Sequence, residues 1–148
     1  MADYTSRVSE RMYPLAIEYA DSHNAGTLNG TWVSLRDYHR AWLVLNVGDM
    51  AAGATLDAGL QQATTTAGAG AKAITGKTIT QLTQAGGDGD DLVCIELQTE
   101  ELDVSNNFDC VRFYVTVANA AVEYGAVLYG LMSRFDPVAI TNWQEIVG

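Results

Sequence analysis

The run Ala71-Lys72-Ala73-Ile74-Thr75-Gly76-Lys77-Thr78 carries the most pointed chemistry in this chain. It fits a relaxed phosphate-loop pattern, with Ala71 in place of the first glycine. In such a loop backbone amides cradle phosphates, the lysine reaches the β- and γ-phosphates, and the hydroxyl holds Mg²⁺. That chemistry needs a buried strand before the loop and a helix after it. Here TTTAGAGA precedes and ITQLTQAGG follows. The stretch therefore reads as a turn between strands, and a P-loop-type nucleotide-binding enzyme is the disfavoured reading.

Other reactive side chains point to no reaction. Asp88, Asp90 and Asp91 offer hard oxygen ligands but lack the spacing of a calcium loop. His23 and His39 are the only histidines, and they read as packed or surface residues. No serine sits in a nucleophile elbow, and no cysteine has a base near it in sequence. Glu100 and Glu101 are adjacent, so a strand would point them to opposite faces. Trp32, Trp42, Tyr38, Tyr124 and Tyr129 suit a sugar-binding face or, more simply, a core. No catalytic, cofactor-binding or metal-ligating residue is assigned, and no cofactor is implied.

The elements that would position these groups are strands. Residues 91–117 contain two runs with period-two alternation: Val93, Ile95 and Leu97, then Val111, Phe113, Val115 and Val117. Joined by a polar loop, they predict a hairpin with Ile95 opposite Phe113, Val93 opposite Val115, Leu97 opposite Val111 and Glu96 opposite Arg112. That register keeps Cys94 and Cys110 too far apart for a disulfide and leaves two free thiols. Ala41, Leu43, Leu45 and Val47 share one face of another strand, with Trp42 and Val44 on the other, so both sides of that strand expect cover. Leu56, Ala58 and Leu60 alternate as well. Gly68–Ile74 and Lys77–Gln84 read as short strands joined by a turn at Gly76. The last strand, AVEYGAVLYGLMSRF, has Gly125 and Gly130 as bends or close-approach sites. The fold class is all-β: an antiparallel β-sandwich, jelly-roll-like, with no βαβ rhythm.

Composition narrows the partners. The chain has 148 residues, 48% apolar content and a net charge of −10, which suits one globular domain. Acids crowd residues 88–109, and no Lys or Arg lies between Lys77 and Arg112. This disfavours nucleic acid, whose backbone needs clustered cations. No apolar run has the length of a membrane span, and the N-terminus shows no secretory signal. Two free thiols suit synthesis in a reducing cytosol.

Ser34-Leu35-Arg36-Asp37-Tyr38-His39-Arg40-Ala41, followed by an apolar strand, resembles the opening strand of small virion proteins from the head gene clusters of tailed bacteriophages. Thr55-Leu56 with Leu60-Gln61-Gln62-Ala63, and Gly70-Ala71-Lys72-Ala73-Ile74, resemble their next segment. The Cys110–Val117 run and the Ala-rich strand after it fit the same series. The resemblance spans about residues 31–135. It implies a capsid decoration (cement) protein or another virion structural component at the neck or tail, with no catalytic residues to carry over.

The expected organisation is an N-terminal arm over 1–30, a sandwich over 31–135 and a tail over 136–148. The expected partners are the major capsid protein and copies of the chain itself, as a homo-oligomer on the capsid surface. Tyr13, Leu15, Ile17 and Tyr19 of the arm, with Trp143 and Ile146 of the tail, are the candidate contacts. A carbohydrate- or receptor-binding module is the alternative from another class.

Overall fold

The computed structural model describes residues 7–135 and 142–147, and these form an all-β fold. The strands are β1 (Met12–His23), β2 (Gly26–Asn29), β3 (Val33–Ser34), β4 (Tyr38–Met50), β5 (Thr55–Ala63), β6 (Lys72–Thr78), β7 (Leu82–Thr83), β8 (Leu92–Gln98), β9 (Cys110–Ala118) and β10 (Val122–Ser133). One sheet runs β1-β10-β4-β8. The other runs β2-β9-β5-β6, with β3 beside β9 and β7 beside β5. All pairings are antiparallel. With the two-residue β3 and β7 set aside, the remaining strands fill the sheets in the chain order 1-8-3-6 and 2-7-4-5. That is the jelly-roll arrangement of interleaved Greek keys.

The alternation read from the sequence supplies the core. Leu43, Leu45 and Val47 of β4, Leu56, Ala58 and Leu60 of β5, Ile95 and Leu97 of β8, and Val111, Phe113, Val115 and Val117 of β9 all turn inward. Burying a side chain of this size contributes about 1.5–3 kcal/mol.

The predicted hairpin does not form. β8 pairs with β4, placing Leu43 opposite Ile95. β9 pairs with β5, placing Leu60 opposite Phe113. Ile95 and Phe113 meet in the same core from opposite sheets. The 99–109 connection explains the difference. It holds two 3-10 turns, Thr99–Glu101 and Val104–Asn106, and exceeds the roughly 2–5 residues of a hairpin loop. Such a loop lets the chain step from one sheet to the other while each strand still buries one face. Glu96 and Arg112 therefore do not pair. Arg112 Nε donates to Gln61 Oε1 at 2.9 Å, and its guanidinium lies 4.7 Å from the Trp32 ring centre.

The expected arm also proves partly integral. β1 is an edge strand bonded along β10, and β2 is bonded to β9. A register shift between Pro14 and Ala16 breaks the alternation of Tyr13, Leu15, Ile17 and Tyr19. Such a bulge re-aims the side chains that follow it. At Gly76 (φ +75°) β6 bends without ending, and its register jumps from Gly59–Thr78 to Gln61–Ala73. Residues 1–6, 136–141 and 148 of the predicted arm and tail lie outside the described residues.

Candidate partner-binding face

The two outer faces of the sandwich differ in chemistry. Outside β2-β9-β5-β6 the side chains are polar. Thr27 and Thr116 pair hydroxyl to hydroxyl at 2.9 Å, Gln81 Nε2 donates to Asp57 Oδ2 at 2.7 Å, and Arg112 holds Gln61. Outside β1-β10-β4-β8 they are largely apolar. The pairing register sets them in rows across the four strands. One row reads Ile17, Val127, Val44, Cys94. The next reads Pro14, Tyr129, Trp42, Glu96. The third reads Met12, Leu131, Arg40, Gln98.

Ile17, Trp42, Val44, Val127, Tyr129 and Leu131 are half-buried in this face. The Trp42 and Tyr129 rings lie 6.1 Å apart, tilted by 37°. Trp42 Nε1 is buried without a hydrogen-bond partner. Arg40, Trp42, Glu96, Leu131 and Met132 line a shallow groove of about 250 Å³. The guanidinium of Arg40 and the carboxylate of Glu96 make no hydrogen bond or ion pair among the described residues. Leu92 and Met132 extend the apolar surface, at 70% and 54% exposure.

The sequence candidates separate on this frame. Tyr13 is 4% exposed and packs on Tyr38 with ring centres 5.7 Å apart, so it serves the core. Leu15 packs against that core too. Both are thus placed in or against the core, Tyr13 before the register shift and Leu15 at it. Ile17 lies on the outer face, and Tyr19 stands clear in solvent. In the tail, Asn142 Nδ2 donates to Pro14 O at 2.9 Å, which sets the tail beside the β1 edge. Trp143 and Ile146 are 37% and 43% exposed there. The residues missed are Val127 and Leu131. Their signal was the apolar run on both faces of β10, the same signal that marked Trp42 and Val44 in β4.

Lys77 is engaged within the fold. Its Nζ donates to Glu96 O at 2.9 Å and pairs with Glu101 Oε1 at 2.9 Å, tying β6 of one sheet to β8 of the other. This cation and a backbone amide hold the Glu101 carboxyl below its ordinary range, the Gln98 N–H being the larger cause. Asp88 Oδ2 accepts from Thr83 N at 2.8 Å and so closes a turn. No group of three His, Cys, Asp or Glu side chains gathers as a metal site among the described residues. His23 stacks on Tyr124 with ring centres 3.9 Å apart, and His39 is exposed. Of the aromatic residues considered for a sugar face, Tyr38 and Tyr124 are buried in the core, and Trp32 packs on Arg112. Only Trp42 and Tyr129 share a surface. Cys94 is exposed, Cys110 is buried, and both are free, because they stand in different sheets.

A second groove, of about 360 Å³, opens at one end of the sandwich. Leu35, Leu102, Val104 and Phe108 line it, and the Arg36–Asp109 ion pair stands at its mouth.

Compared with protein-family models, curated proteins and solved structures, the chain gives no match in any of the three.

Proposed function

We propose that this chain is a non-enzymatic virion structural protein, a decoration (cement) component that stabilises a tailed-phage head through subunit contacts. The observation that carries the reading is the asymmetry of the sandwich. One outer face is polar and internally hydrogen-bonded, and the other is an apolar sheet surface centred on Trp42 and Tyr129. Contiguous exposed apolar surface of this kind marks a protein contact. Aromatic and arginine side chains at its centre are the residue types that dominate such contacts. A lattice presents one patch many times, so modest contacts add up through multivalency. The resemblance of residues 31–135 to phage head-cluster proteins supplies the particle. The jelly roll is compatible with this role but does not select it, since the fold serves unrelated functions.

The test is sedimentation with assembled particles, followed by a copy count. The reading expects the chain on the head in a fixed number matching a lattice position. Recovery only at the neck or tail would move it along the same particle, and recovery only in the soluble fraction would overturn it.

A further inference from the structure

The occupant of the apolar face is constrained by its two unpaired charges. Arg40 and Glu96 project from the same surface, on the adjacent strands β4 and β8 and one row apart. Neither has an ion-pair partner among the described residues. A cation and an anion side by side on an apolar patch are what a self-complementary contact requires, because each copy must offer what the other needs.

Strands lie about 4.8 Å apart, and outward residues follow each other at about 6.8 Å along a strand. On that grid a two-fold axis in the plane of the interface, passing between Arg40 and Glu96, lays each Arg40 over the partner's Glu96. The same axis continues over Trp42 toward Tyr129, the most aromatic part of the face. We propose that the outer face of β1-β10-β4-β8 is a two-fold interface between two copies of this chain, closed by reciprocal Arg40–Glu96 pairs around Trp42 and Tyr129. The proposal rests on reading this face as a protein contact, and it names the partner.

Sedimentation velocity of the purified protein, without particles, reads the result. The wild type should run at twice the 15.9 kDa chain mass. Arg40→Glu and Glu96→Arg should each weaken dimerisation by about tenfold or more, since each places like charges opposite one another. An equimolar mixture of the two variants should recover the dimer, because every cross-pair in the mixed species is then opposite in sign. Repulsion within one chain cannot produce that rescue, which separates the contact from a folding defect. A wild type that stays monomeric at all concentrations, or a mixture no tighter than either variant alone, overturns the proposal. A monomer that still sediments with particles leaves the assembly reading standing. A dimer absent from particles keeps this interface and removes that reading.

Discussion

At the scale of single residues, Gly130 and Cys110 show how the fold restricts chemistry. A Cβ at Gly130 would lie 2.8 Å from Tyr38 Cδ1 and 2.9 Å from Leu15 Cδ1, inside the core. Gly130→Ala should therefore destabilise the protein by about 1–3 kcal/mol through overpacking, read as a lower denaturation midpoint at constant slope. The close approach was legible as a glycine inside an apolar strand, but the identity of its neighbours was not. Tyr38 and Leu15 reach Gly130 only because β1 bulges and β10 lies beside both β1 and β4.

Cys110 is buried at the start of β9. Burial first, then the hydrogen bond and charge of Asp109, push its thiol up from 9.0 to about 11. Alkylation of the native protein at mildly alkaline pH should spare the buried Cys110, which reacts only after unfolding. Peptide mass spectrometry should find the Cys110 adduct only after denaturation. The folded thiol holds its proton more tightly than the unfolded one, so this stabilisation is complete below pH 9.0 and is lost as pH rises toward about 11. Tyr124, pushed up to about 12 chiefly by burial, acts in the same direction at higher pH. Thermal midpoints should fall across that range, and Cys110→Ala should flatten its lower part.

At the scale of elements, the alternating runs 93–97 and 111–117 were legible as strands, and their inward faces were legible too. Their pairing was not, because period-two alternation fixes which face is buried and says nothing about which neighbour supplies the hydrogen bonds. The polar stretch 99–109 held the missing information, being too long for a tight hairpin. Lys77 illustrates the same limit. Its sequence context suggested a phosphate ligand, whereas its Nζ joins the edges of the two sheets through Glu96 O and Glu101. Lys77→Ala should cost about 1–3 kcal/mol, in the range of hydrogen bonds to charged groups. Addition of ATP and Mg²⁺ should leave the wild-type midpoint unchanged. A ligand-induced rise would revive the phosphate-loop reading. The outer face of β4 and β10 was half legible: apolar residues on both sides signalled a covered strand, but only the topology shows that the second side faces outward.

At the scale of the whole molecule, β1 and β10 set the order of events. β10 lies between β1 and β4, so one sheet is incomplete until strands far apart in sequence have met. All-β folds built on such non-local pairing fold slowly, in about milliseconds to seconds. Both sheets also feed one core, in which Tyr13 and Ala16 of β1 sit with Phe113 and Val115 of β9. The expected boundary at residue 30 therefore does not divide the folding unit, since β1 and β2 both precede it and pair with β10 and β9. Trp42 on the β4 face and Trp32 beside Arg112 report on opposite sheets. Two variants, each keeping one of these tryptophans with the others replaced by Phe, should unfold at the same denaturant midpoint once each variant's own stability change is corrected by circular dichroism. Agreement of the two probes would mark a single cooperative unit. At a concentration low enough to keep the chain monomeric, an earlier transition at Trp42 would mean that the β1-β10-β4-β8 sheet opens on its own, and the shared core would then fail to couple the two layers.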